Sequence, residues 1–381
     1  MELSEVRKEI DLIDDEIASL YEKRMGLVKE VIDAKKQTGK AVTDMDRERN
    51  ILVRVSEKVS EQNKVGLKRL FECIFNESKA YQTMSMDNSA IIVERIKEAL
   101  SKGEKILPAC AKVACQGVNG AYSGIATDRL FEIADITYFK NFEGVFQAVE
   151  KGFCNYGVLP IENSSAGSVN EVYDLMKEHK FYIVESIRLP ISHSLVGNKG
   201  TKLEEVTEIY SHQQALSQCK QYLERKFKNA KIIAVENTAV ASRMVKESGR
   251  NDIVAISSRE CANLYDLKVL QTNVQDSDNN YTRFILIAKD MHFYKGANKI
   301  SIMTTLPHAS GSLHRLLSKF ASLNINLTKL ESRPIMGSNF EFMFYFDFEC
   351  DIKDKGVQNL IGELDNMAEQ FAFLGAYKER I

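Results

Sequence analysis

Apolar residues at Leu3, Val6, Ile10, Ile13, Ile17 and Leu20 follow steps of three and four, and the pattern runs on through Leu27, Val28, Val31 and Ile32. No proline interrupts it, and the one glycine, Gly26, costs only about 1 kcal/mol. The first stop signal is Gly39. A helix from about Ser4 to Lys36 is roughly 50 Å long at a rise of 1.5 Å per residue. That exceeds the diameter of a small domain, so a second body must cover the stripe. A second helical segment starts near Asp46 and a third runs from about Val65 to Met84. Three helices over residues 1–88, one of them so long, predict an intertwined all-α dimer.

The chain is too long, at 381 residues, for one ordinary core. Its 44% hydrophobic and 27% charged residues are those of a soluble globular protein. A net charge of -2 argues against a nucleic-acid or membrane surface as main partner, while leaving room for a local basic pocket. Seven cysteines, never spaced C-x-x-C, and six histidines without H-E-x-x-H fit a reduced cytoplasm and no structural zinc. The acidic start Met1-Glu2-Leu3-Ser4-Glu5 is not a signal peptide, and no apolar run approaches the roughly 18–20 residues of a membrane helix.

Residues 89–111, with a short helical pattern over Ile91 to Leu100 and then Gly103 and Pro108, read as a linker. Over 112–291 short apolar runs alternate with helical patterns. Residues 113–115, 136–139, 156–159, 181–184, 232–235 and 253–256 read as buried strands, and 142–150, 169–177 and 214–227 as helices. This predicts a two-lobed α/β domain with largely parallel strands and a cleft between the lobes. From Asn298 to about residue 378 the order becomes βαββαβ, a ferredoxin-like sandwich.

Cations lie on the long helix where a core belongs. Arg24 and Lys35 are eleven apart, about 20° off one line, whereas Arg7 lies roughly 100° round from Arg24 and serves another site. Such groups either snorkel to solvent or face an anion. With Asp44, Arg47 and Glu48 opening the second helix and Ser78 and Gln82 on the third, they make a pocket for a small dianion that has no nucleophile–base pair. Residues 1–88 resemble the all-helical chorismate mutase domain, and the whole chain resembles the bifunctional chorismate mutase–prephenate dehydratases. The resemblance implies a cofactor-free Claisen rearrangement of chorismate to prephenate. Arg7 (from the partner subunit), Arg24 and Arg47 would bind carboxylates, and Lys35 and Gln82 would donate to the ether oxygen. Asp44, Glu48 and Ser78 would meet the hydroxyl and the remaining carboxylate contacts.

Polar clusters follow several strands of the α/β region, at 116–123, 160–168, 210–214 and 236–239, where open sheets bind ligands. Each alone reads as a helix cap or a turn. The richest stretch is Asp276-Ser277-Asp278-Asn279-Asn280-Tyr281-Thr282-Arg283-Phe284, in which the Asp and Asn residues read as the turn. It resembles the prephenate dehydratase motif. The resemblance implies that Thr282 is catalytic, that Asn163, Ser211 and Gln218 lie in or near the cleft, and that Arg283 holds a substrate carboxylate. His212 is a possible assistant or a structural histidine. The chain reads Ser211-His212-Gln213-Gln214 where the family commonly has Ser-His-Pro-Gln, a change in loop stiffness more than in chemistry.

The C-terminal βαββαβ unit resembles an ACT domain. Gly311-Ser312-Leu313 and Glu331-Ser332-Arg333 carry the likeness, with Ser312 where the family commonly has Ala. The resemblance implies L-phenylalanine as an effector bound between paired modules. Two rivals are a fusion to prephenate dehydrogenase, which lacks its G-x-G-x-x-G here, and an amino-acid sensor without turnover.

Overall fold

The computed structural model describes residues 2–38, 44–85, 91–277, 279–335 and 341–381. Gly39 and Asp278, named above, lie outside them, as does residue 89 at the start of the linker. The chain divides into two compact units, residues 1–94 with 358–368, and residues 95–357 with 369–381.

The first unit opens on α1 (Leu3–Thr38), a single helix of 36 residues, followed by α2 (Met45–Ser56) and α3 (Glu61–Ser85). Asp44 caps α2 by accepting from the Arg47 N–H at 3.0 Å. Of the α1 stripe, only Val28 and Ile32 are buried within the chain. Ile10, Ile13, Ile17, Leu20 and Leu27 are each half or more exposed. A further helix, α4 (Ile91–Ser101), spans the boundary between the units.

The second unit begins with β1 (Cys110–Gln116), α5 (Tyr122–Leu130), β2 (Ile133–Phe139), α6 (Phe142–Glu150), β3 (Tyr156–Asn163), the two-residue β4 (Gly167–Ser168), α7 (Asn170–His179) and β5 (Tyr182–Pro190). The chain then crosses to a second lobe made of β6 (Ser194–Gly197), β7 (Glu208–His212), α8 (Gln213–Gln218), α9 (Lys220–Lys226), β8 (Lys231–Val235), α10 (Thr238–Ser248), β9 (Ile253–Ser257), α11 (Arg259–Leu264) and β10 (Lys268–Gln271). It returns through residues 272–280 to β11 (Tyr281–Ala288) in the first lobe. The returning strand explains why the sheets are mixed and not largely parallel. Strands β1, β2 and β3 are mutually parallel, but β11 runs antiparallel between β3 and β5 because it enters from the far lobe. In the second lobe β7, β8 and β9 are parallel, β6 runs antiparallel beside β9, and β10 pairs antiparallel with β6 at the edge.

Strand alternation gives β11 two faces. Phe284, Leu286 and Ala288 enter one core with α5, and Ile285 and Ile287 enter the other with α6 and α7. That second core also holds Met303, Met343, Tyr345, Leu374 and Tyr377, which belong to the C-terminal strands.

Those strands complete the fold: β12 (Lys299–Thr305), α12 (Ser312–Ser322), β13 (Asn326–Pro334), β14 (Phe342–Glu349), α13 (Lys355–Met367) and β15 (Phe371–Arg380). The strands pair antiparallel in the order β13-β14-β12-β15, the ferredoxin-like arrangement of a βαββαβ chain. β15 pairs with β12 as far as Tyr377 and then, over Lys378 to Arg380, pairs parallel with β5, so residues 298–378 share a ten-stranded sheet with the α/β region. Gly375 makes the transfer possible. Its φ is +141°, and a Cβ there would lie 2.2 Å from the Ile183 carbonyl oxygen. Gly375→Ala is therefore expected to destabilise the second unit by about 2–3 kcal/mol, read as a lowered midpoint of its denaturant transition. An unchanged midpoint would show that the crossing tolerates a side chain.

Candidate functional site

The stretch before β11 is fixed from both lobes. Asp276 caps α9, accepting from the N–H groups of Gln221 at 2.9 Å and Tyr222 at 3.1 Å. Ser164 takes the Tyr281 N–H at 2.9 Å and donates to the Asn279 carbonyl at 3.0 Å. Thr282 is thereby set opposite Asn163, the last residue of β3.

Asn163 organises the site. Its Oδ1 accepts from the backbone N–H groups of Ser165 at 3.0 Å and Ala166 at 2.9 Å. Only an oxygen can do that, so the amide cannot be reversed. Gln214, from the second lobe, adds a third donor at 3.4 Å. The Nδ2 group then faces Thr282 Oγ1 at 2.9 Å and Asn280 Oδ1 at 2.9 Å, with the Tyr281 carbonyl at 3.2 Å. Because Thr282 Oγ1 accepts from Asn163, its own proton is left to donate. Asn280 passes the order on through Nδ2 to Gln218 Oε1 at 3.1 Å, and His193 Nε2 lies 2.8 Å from that same oxygen. Burial lowers the His193 pKa. Beside this chain a cleft of about 410 Å³ is lined by Ser165, Ala166, Gln214, Ser217, Gln218 and Asn280, among others. A larger hollow of about 520 Å³ lies at the other ends of β1 and β2, around Lys112, Asp135 and Asn155.

The structure thus brings Asn163, Gln218 and Thr282 together, and adds Asn280 and His193. Asn280 had read as part of the turn. Ser211 is fully buried and donates to the Ile256 carbonyl at 2.6 Å inside the second-lobe sheet. His212 caps α8, its Nδ1 accepting from the Gln214 N–H at 3.3 Å.

Arg283 points to the opposite face from Thr282, and its partners are protein carboxylates. Nη2 lies 2.6 Å from Asp347 on β14 and 3.2 Å from Glu162, and Nη1 lies 3.8 Å from Glu379 on β15. Burial works against its charge, but Asp347, the neighbouring tyrosines and Glu162 outweigh it and raise its pKa. Lys299 closes the cluster on Glu379 at 3.0 Å.

In the helical unit, Arg24 donates to Ser78, and its guanidinium lies 5.8 Å from the Phe75 ring centre. Burial, with Arg47 nearby, lowers its pKa. Glu48 pairs with Lys79 at 3.0 Å. Gln82 donates to the Ser78 carbonyl at 3.1 Å, and its buried Oε1 has no partner among the described residues. Lys35 is half-buried, and Arg7 and Arg47 are exposed. Asp44 carries the α2 cap.

In the C-terminal strands Gly311, left-handed at φ +79°, precedes Ser312 and Leu313 at the start of α12. Ser332 is exposed, whereas its neighbours on β13 reach the α/β region: Glu331 bonds Ser168, and Arg333 lies 3.6 Å from Asp174. Among the described residues no helix is long and apolar enough to cross a membrane, and no group of three His, Cys, Asp or Glu is placed to hold a metal.

Residues 6–83 match the chorismate mutase type II family model, and residues 113–292 match that of prephenate dehydratase. The bifunctional chorismate mutase/prephenate dehydratase of Aquifex aeolicus (strain VF5) is 32% identical over 381 residues, covering 100% of this chain and 99% of the relative. The chloroplastic arogenate dehydratase/prephenate dehydratase 1 of Arabidopsis thaliana is 37% identical over 282 residues, 70% of this chain and 71% of the relative. The crystal structure of prephenate dehydratase in complex with L-Phe from Arthrobacter aurescens aligns with a TM-score of 0.64 at 26% identity, over 70% of this chain and 89% of that one. With both enzyme domains matched in order and a relative alike from end to end, the chain belongs to the bifunctional chorismate mutase/prephenate dehydratase family, enzymes of phenylalanine biosynthesis.

Proposed function

We propose that Thr282 is the hydrogen-bond donor for the dehydration of prephenate. In that step the ring carboxylate leaves as carbon dioxide. Its bonding pair enters the ring, and the ring C–O bond breaks as the ring becomes aromatic. The departing hydroxyl leaves as water once it gains a proton, which solvent ultimately supplies. Aromatisation drives the reaction, and the poor leaving group limits it. A threonine hydroxyl that already accepts from Asn163 has its proton free for that oxygen, and acceptance polarises the O–H bond. This bond is the observation that carries the reading. Thr282 is only 8% exposed, so little water competes for the donor.

For the mutase step the reading assigns Arg24 and Arg47 to the substrate carboxylates, and Lys35 and Gln82 to the charge growing on the ether oxygen. Asp44, Glu48 and Ser78 meet the substrate hydroxyl and make the remaining carboxylate contacts. Arg7 lies seventeen residues before Arg24, about 26 Å away along α1, too far to share its site within one chain. A second copy laid along α1 would bring its own Arg7 to that site. It would also cover the exposed stripe, with about 1.5–3 kcal/mol gained for each large side chain fully buried. The working form is then a cytoplasmic homodimer or a larger homo-oligomer.

The C-terminal βαββαβ unit is assigned as an ACT module that takes L-phenylalanine at Gly311, Ser312 and Leu313, whose φ and helix start suit a carboxylate, together with Glu331, Ser332 and Arg333. Glu331 touches Ser168, two residues beyond the Ala166 N–H that fixes Asn163. An effector that moves Glu331 thus has a physical route to the dehydratase site.

With prephenate as substrate, Thr282→Val should lower dehydratase kcat/KM at least about 100-fold and leave mutase activity within about twofold. Dehydratase turnover near the parent rate would sink the Thr282 assignment. Ile13→Asp with Ile17→Asp should halve the sedimenting mass and abolish mutase activity; a dimer that persists with full mutase activity would contradict the shared helical site.

A further inference from the structure

His193 stands where the chain crosses from the first lobe to the second, and it is 3% exposed. Its backbone joins the two crossings, donating to Gln275 Oε1 at 2.9 Å and accepting from the Val274 N–H at 2.9 Å. Substituting the side chain leaves both of those bonds in place. The ring has a separate task. Gln218 Oε1 carries no proton, so His193 must be protonated on Nε2 to bond it. Nδ1 is then bare, and it is buried without a hydrogen-bond partner among the described residues. A neutral imidazole of fixed tautomer suits that setting, and burial favours it.

The consequence follows along the amides. Asn163 is anchored by two backbone N–H groups, and it requires Asn280 to present an oxygen. Asn280 then presents Nδ2 to Gln218, which must answer with Oε1. Without the His193 donor, Gln218 can turn its amide over and set Nε2 against Asn280 Nδ2. Asn280 must then turn as well, bringing donor against donor at Asn163, which cannot turn. The Thr282 contact is where that misfit falls.

We propose that His193 is a positioning residue for the dehydration step, fixing through Gln218, Asn280 and Asn163 the direction in which the Thr282 hydroxyl donates. This rests on the Thr282 reading above. Its mark is a loss in kcat that returns with any donor of the right reach.

The test is prephenate kinetics on the full-length enzyme. His193→Leu is expected to lower dehydratase kcat about tenfold, the worth of one hydrogen bond, with KM within about twofold. His193→Gln, whose terminal amide reaches as far as Nε2, should restore kcat to within about threefold of the parent. In a Thr282→Val background His193→Leu should change the residual rate less than about twofold, since both act through one hydroxyl. If His193→Leu does not fold, His193→Asn, whose amide stops one bond short, is compared with His193→Gln instead, and the same loss is expected. The proposal is overturned if the leucine variant (or its asparagine substitute) keeps its kcat, if the glutamine variant falls as far, or if the tenfold loss persists without the threonine hydroxyl. Full turnover by Thr282→Val alone would instead remove the Thr282 reading, and it is scored apart from the histidine pair.

Discussion

The site depends on two backbone N–H groups, those of Ser165 and Ala166, held by one side-chain oxygen of Asn163. Side-chain amides are nearly symmetric in shape, so nothing about their packing tells oxygen from nitrogen. Backbone donors do, because an amide nitrogen set against them would face a repelling proton. Once Asn163 is fixed, donor and acceptor roles at Thr282 and Asn280 follow, and the Asn280 and His193 donors together set that of Gln218. The energy of each bond is modest, about 1 kcal/mol net, but an error at one member leaves a buried polar group unmatched at the next. On the role proposed for Thr282, its surroundings matter by fixing the direction of its proton, since a threonine hydroxyl is not acidic.

The same strand carries a second connection. Thr282 and Arg283 are adjacent, so they leave β11 on opposite faces. One reaches the amide chain, and the other reaches Asp347 and Glu379 of the C-terminal strands. A buried arginine among carboxylates is weak evidence for stability but strong evidence for register, since removing one partner strands the other's charge. Gly375, by letting β15 pass from one sheet to the next, places Glu379 within reach. The threonine's position and the C-terminal sheet are therefore set by neighbouring residues of one strand.

Much of this was legible in the sequence. The three-and-four spacing over Leu3 to Ile32 marked the long helix and its apolar stripe. Apolar runs between turn residues located most of the α/β strands, and the C-terminal order of elements was readable throughout. What escaped were contacts between residues far apart in the chain. Nothing local sets His193 beside Gln218, or makes Asn280 more than a turn, because those contacts exist only after the chain crosses between lobes twice. The mixed strand directions escaped for the same reason. Arg283 is a different case. Period-two alternation already implied that it and Thr282 cannot face one ligand, and the carboxylate role expected of it set that constraint aside.

The most direct test of the central claim is Asn163→Asp. The carboxylate keeps an oxygen for the Ser165 and Ala166 N–H groups, nearly without change in shape, but it has no proton for Thr282 or Asn280. The account predicts a folded enzyme whose dehydratase kcat falls at least about 100-fold while its mutase activity is unchanged. Dehydratase turnover within a fewfold of the parent enzyme would show that the direction of the Thr282 hydroxyl is set by something other than Asn163.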